Sequence, residues 1–109
     1  MFDYLNESNR IKGMKPSQAL LSHRDAIRSV VLSHRALNPR VFGSVASGQD
    51  TENSDLDLLI DPTPSTTLMD VAAIQVELEK LLNVSVDVLT PNGLPDAFRS
   101  IVLAQAVKV

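Results

Sequence analysis

The chain has no cysteine and no tryptophan. Without thiols there is no disulfide framework and no thiolate metal centre, and the composition fits a reducing compartment. Aromatic residues are scarce at 4 %, so the core must be built mostly from Leu, Val, Ile and Ala. No apolar run approaches the roughly 18 residues of a membrane span. The opening MFDYLNESNR lacks the basic start and apolar stretch of a secretory signal. The expectation is a cytoplasmic protein without a membrane partner. Basic charge is not in excess either. Net charge is −3, and the only mild basic cluster is Arg24, Arg28, Arg35 and Arg40. Direct nucleic-acid binding is therefore not expected.

What remains suits one small domain with one hydrophobic core in 109 residues. Residues 1–13 show no periodicity, and Met14 begins MKPSQALL, a more natural start than Met1. Residues 1–13 read as a flexible N-terminal extension, and residues 14–109 as the domain. From Pro16 to about Leu37 apolar residues recur near a 3.6 period, with Ser17 as N-cap and Asn38-Pro39 as the stop. Arg40-Val41-Phe42 reads as a strand, residues 45–54 as a loop with one helical turn, and Asp55 to Ile60 as a second strand. Ser65 to Leu82 reads as a helix with Leu68, Val71, Ala72, Leu78, Leu81 and Leu82 inward. Val84 to Leu89 reads as a third strand. A last helix is expected from Pro95 or Asp96 to about Val107, with Phe98, Ile101, Val102 and Gln105 on one side. The fold class is α/β (α+β), a mixed sheet of three or four strands covered by three to four helices.

The informative stretch is GSVASGQDTENSDLDLLID, residues 43–61. Strand alternation puts Asp55, Asp57, Leu59 and Asp61 on one face, and Leu56, Leu58 and Ile60 on the other. Asp55 and Asp57 then lie about 6–7 Å apart, a spacing that suits shared divalent cations. Asp87 repeats the pattern between Val86 and Val88. If the two strands are neighbours, Asp87 sits roughly 5 Å from an aspartate of the other. Unpaired carboxylates at that range repel by about 3 kcal/mol at an effective dielectric near 20. Solvent-facing aspartates on a half-exposed sheet are the plain alternative. Against it, the upstream Gly43-Ser44 allows close backbone approach, and the turn after it can hold a phosphate. Mg²⁺ removes the repulsion and favours such oxygen ligands.

The run Val41-Phe42-Gly43-Ser44-Val45-Ala46 through Asp55-Leu56-Asp57-Leu58-Leu59-Ile60-Asp61 resembles the nucleotidyltransferase superfamily typified by DNA polymerase beta. With Val86-Asp87-Val88-Leu89-Thr90-Pro91, residues 14–109 more closely resemble the minimal nucleotidyltransferases, antitoxin halves of HEPN–MNT toxin–antitoxin pairs. The resemblance implies that Asp55, Asp57 and Asp87 are catalytic metal ligands for two Mg²⁺ ions, with ATP as substrate. It implies that Gly43 and Ser44 contact the triphosphate, and that Asp87 assists deprotonation of the attacking hydroxyl. Many relatives carry arginine where this chain has Ser47, which offers the nucleotide only a neutral hydrogen bond.

The implied function is transfer of AMP to a hydroxyl, a tyrosine by preference, of a cognate HEPN ribonuclease toxin. Two alternatives stand beside it: neutralisation of the toxin by binding alone, and transfer to a small molecule or tRNA. A homodimer or mixed assembly with the toxin is expected. His23 and His34 would lie roughly 16 Å apart along one helix, too far to share a metal. Tyr4 is the chain's one tyrosine, and self-modification there is a minor alternative.

Overall fold

A computed structural model describes residues 14–109, so the expected extension and Tyr4 lie outside the described residues. In chain order the elements are α1 (Pro16–Ser22), α2 (Arg24–Ser33), β1 (Ala36–Phe42), α3 (Gly43–Ser47), β2 (Leu56–Pro62), α4 (Leu68–Leu82) and β3 (Val86–Leu89). A 3₁₀ turn (Pro91–Gly93), α5 (Asp96–Gln105) and β4 (Val107–Lys108) follow. The four strands form one mixed sheet in the order β3-β2-β1-β4. β1 runs antiparallel to β2 and β4, and β2 runs parallel to β3 through the α4 crossover. The expected mixed α+β architecture is present, with five α-helices among the described residues rather than three or four.

The alternation of β2 sets the layering. Leu56, Leu58 and Ile60 are fully buried with Val86, Val88 and Val41, and meet Ile27 and Val31 of α2 and Ile74, Leu78 and Leu82 of α4 in one core cluster. The inner stripe of α4 is thus Asp70, Ile74, Leu78 and Leu82 at i, i+4 spacing. Contrary to expectation, Leu68, Ala72 and Leu81 do not join it: all three are exposed, Leu68 in the first turn after the Thr67 cap.

Several boundaries differ from the sequence reading: β2 runs on to Pro62, α4 begins at Leu68 rather than Ser65, and β3 at Val86 rather than Val84. The first helix breaks at His23, which leaves helical geometry and separates α1 from α2. Arg35 takes a positive φ of 64° and reverses the chain, and its carbonyl accepts the hydroxyls of Thr63 and Thr66. Strand β1 therefore starts at Ala36, and Asn38-Pro39, expected to stop a helix, forms an irregularity within the strand. Asn38 has φ 54° there, and the carbonyl of Pro39 accepts the N–H of Val109 at 3.1 Å. The end of the last helix is also earlier: α5 stops at Gln105, and Val107 and Lys108 add an edge strand to β1. No residue of α5 is buried, and Phe98 and Ile101 are exposed. No helix among the described residues is long and apolar enough to cross a membrane.

Candidate active site

Register brings the aspartates together. Asp57 stands opposite Asp87 in the parallel β2/β3 ladder, one strand spacing away, about 4.8 Å between backbones. On its other side Asp57 pairs with Phe42, the last residue of β1. Cross-strand partners share a face, so Asp57, Asp87 and Phe42 lie on the face away from the helical core. Asp87 and Asp55 are exposed, whereas Asp57 is half-buried.

The chain turns directly from Phe42 into α3 through Gly43, whose φ is +69°. A Cβ at Gly43 would overlap Oδ2 of Asp57 and come within 3.4 Å of its Cγ. The backbone of the turn is thus laid against one carboxylate, and only glycine permits it. Ser44 and Ser47 follow on α3, and the Ser47 hydroxyl donates to the Ser44 carbonyl at 3.2 Å. Ser47 is exposed and Ser44 half-buried. The expected helical turn is present, and it starts at Gly43 rather than after Ser44.

Electrostatics register the crowding. The Asp57 carboxyl is pushed above the usual carboxylate range, first by its burial, then by the charges of Asp87 and Asp55. The charges of Asp55 and Asp87 thus act on Asp57, yet the three carboxylates do not close on a single point. Among the described residues no group of three or more acidic or histidine side chains is drawn together tightly enough to hold a metal ion as it stands. Mutual repulsion favours that spread, and the donor set is the hard-oxygen type that suits Mg²⁺.

The rest of this face is not open. Leu59 is fully buried although it shares the face of Asp57, because the 3₁₀ turn packs on β2 and Leu94 beside it is buried too. Asp61 is neutralised by Arg40, whose guanidinium bonds its carboxylate, and Asn38 donates to the same group at 3.0 Å. The site therefore occupies only the end of the sheet where β1 enters α3. Beside it a cleft of about 390 Å³ is lined by Glu52, Ser54, Asp55, Glu79 and Asn83.

Neither histidine belongs to the site. His23 bonds the Ala19 carbonyl through Nδ1 at 3.0 Å, and His34 faces Glu77 at 3.0 Å. Sequence reading missed the partner of Asp50, a buried carboxylate that accepts the Ser17 N–H at 2.8 Å. Ser17 is thus not the N-cap of α1; Lys15 holds that position, and the acceptor comes from 33 residues downstream.

A model of the nucleotidyltransferase domain matches residues 27–109. The chain belongs to the nucleotidyltransferase domain family. It is 34 % identical over 80 residues, 73 % of this chain and 86 % of the other, to a Methanocaldococcus jannaschii protein named "Putative protein adenylyltransferase MJ0435". It is 33 % identical over 69 residues, 63 % of this chain and 70 % of the other, to protein adenylyltransferase MntA of Thermococcus cleftensis. A solved structure described as a "putative minimal nucleotidyltransferase" superposes with a TM-score of 0.80 at 40 % identity, covering 90 % of this chain and 99 % of that one. A toxin–antitoxin complex with AMP-PNP shares the fold, with a TM-score of 0.66 at 17 % identity, over 77 % of this chain and 69 % of that one. The nucleotidyltransferase fold expected from residues 43–61 and Asp87 is the one the chain adopts.

Proposed function

We propose that this nucleotidyltransferase domain moves AMP from ATP onto a hydroxyl of a cognate HEPN ribonuclease toxin, a tyrosine by preference, and so silences it. The observation that carries the reading is the placement of Asp57 between Asp87 on β3 and the Gly43 backbone at the head of α3. Asp55, Asp57 and Asp87 would hold two Mg²⁺ ions, which would neutralise the triphosphate and the charge that develops on the entering and departing oxygens. Gly43 and Ser44 present the first turn of α3 to the β- and γ-phosphates. Ser47 adds a hydroxyl where a cationic side chain would bind more strongly. Asp87, exposed at the rim, takes the proton of the attacking hydroxyl as its oxygen bonds the α-phosphorus, and the bond to the β-phosphate breaks with pyrophosphate as the leaving group.

The names of the relatives support AMP as the transferred group and protein as the acceptor. The toxin–antitoxin neighbour of the same fold supports a toxin as that protein. A cytoplasmic setting, where ATP and the toxin meet, goes with the reading.

The test mixes the protein with α-labelled ATP, Mg²⁺ and the product of the adjacent reading frame. Label on that partner, lost in Asp57→Asn, is the expected result. A second reading is toxin neutralisation by occlusion, and the exposed, uncharged Ser47 favours it. A tight complex without label would establish that second reading in place of the first.

A further inference from the structure

Asp50 is a carboxylate 7 % exposed in the loop between α3 and β2, and nothing in the reaction described above uses it. Its only close partner among the described residues is the backbone N–H of Ser17, 2.8 Å from Oδ2. The first turn of α1 explains the attachment. Pro16 has no N–H, and the amides of Gln18 and Ala19 both reach the Lys15 carbonyl. The Ser17 amide is the one left over, and Asp50 takes it. The positive end of the helix favours a carboxylate in that place.

Asp50 joins two tight turns. Before it, Gly48 sits in the left-handed region, and the amides of Gly48 and Gln49 fold back on the carbonyls of Val45 and Ser44. After it, Thr51 and Ser54 close a turn through the Thr51 amide on Ser54 Oγ at 2.9 Å and the Ser54 amide on the Thr51 carbonyl at 3.0 Å. One turn ends on Ser44, and the other leads directly into Asp55. The bond to Ser17 therefore pins the segment that joins the phosphate turn to the metal carboxylates. The pin is set in a firm element, because Ala19 and Leu20 of α1 belong to the core.

We propose that Asp50 is a positioning residue, latching the Ser44–Asp55 segment to the N-terminus of α1 so that the phosphate turn and the carboxylates keep their mutual placement. Its catalytic consequence rests on the nucleotidyl-transfer reading above; the latch itself does not.

The test compares Asp50→Ala, Asp50→Ser and Asp50→Asn with the parent by amide hydrogen exchange in metal-free protein and by titration with Mg·ATP. The serine hydroxyl is too short to span the gap, whereas asparagine keeps an acceptor of the right length. In the alanine and serine variants the amides of Gly48, Gln49 and Ser54 should exchange about tenfold faster or more, and Asp50→Asn should restore most of that protection. Affinity for Mg·ATP should fall several-fold in the first two variants and recover in the third. If exchange quickens only at Ser17–Ala19, or if the alanine and serine variants bind Mg·ATP as the parent does, Asp50 is a helix cap alone and the proposal is overturned. Should the parent itself bind no Mg·ATP, the nucleotidyl-transfer reading fails, and exchange at Gly48, Gln49 and Ser54 still decides the latch.

Discussion

Gly43 and Asp57 fix each other's place: the backbone of the first lies where any side chain would strike the carboxylate of the second. Gly43→Ala should therefore do two separable things. It should cost about 1–2 kcal/mol for a Cβ in the left-handed region, and more where the Cβ meets Asp57. It should also displace the carboxylate, and misplacement by about 1 Å is enough to slow a reaction roughly a hundredfold. Thermal unfolding and the rate of AMP transfer read the two effects. A variant that transfers at the parent rate would show that the close approach has no part in the chemistry.

Asp57→Asn tests the same centre from the other side. Because burial, Asp87 and Asp55 raise the folded-state pKa of Asp57, the folded protein holds that proton more tightly than the unfolded chain. The metal-free stability due to this group is fully present below the unfolded pKa of about 3.9, and is lost as pH rises through the raised folded value. Asparagine removes the loss. The variant should be more stable than the parent at neutral pH without metal, and less stabilised by added Mg²⁺. Changes in the outer shell of a metal site already cost about 10–100-fold, so transfer should fall by at least that much. Full activity in Asp57→Asn would remove the metal assignment.

How far the sequence revealed the site follows from where its information is local. Alternation in Leu56 to Ile60 and Val86 to Val88 is enough to set Asp57 and Asp87 on one face, and the structure makes them register partners. Gly43-Ser44 was legible as a turn, but not its contact with Asp57, which depends on how β1 packs beside β2. The edge strand Val107–Lys108 was missed because two residues carry no periodicity, and its pairing is supplied by β1. Asn38-Pro39 signalled an interruption correctly and its type wrongly: a strand irregularity and a helix stop use the same residues. Alternation sets Leu59 on the face of Asp57, and its burial follows only from the tertiary fold, which packs the 3₁₀ turn against β2.

Ser47→Arg should strengthen nucleotide binding. Ser47 is exposed on α3, one turn from Ser44, and its hydroxyl is held only by the Ser44 carbonyl. A guanidinium at this place would meet the triphosphate with a charge-assisted hydrogen bond, worth about 1.5–3 kcal/mol before solvent screening reduces it. A gain of about fivefold or more in Mg·ATP affinity at low salt, shrinking as salt is added, is the expected outcome of a titration. Weaker or salt-insensitive binding would place position 47 away from the phosphates.

The Thr67–Asp70 pair sets the start of α4 and makes a prediction about acid. Asp70 Oδ2 accepts the Thr67 N–H at 2.9 Å, and the Asp70 amide donates to the Thr67 hydroxyl at 3.2 Å, a reciprocal cap. Arg35 adds a 2.8 Å contact to the same carboxylate. The Thr67 amide lowers the Asp70 carboxyl most; burial opposes it next, and Arg35, the Thr67 hydroxyl and His34 add to the amide so that the carboxyl lies below its ordinary range. Stability from a lowered carboxyl is present above its unfolded pKa and is lost as pH falls through the folded one. Asp70→Asn should therefore flatten the loss of stability in acid, and should cost stability at neutral pH where the charge is useful. Thr67→Ala should cost about 1 kcal/mol through the cap. Urea unfolding at neutral pH and near pH 3 measures both. An acid limb as steep in Asp70→Asn as in the parent would show that other carboxylates govern acid unfolding of this domain.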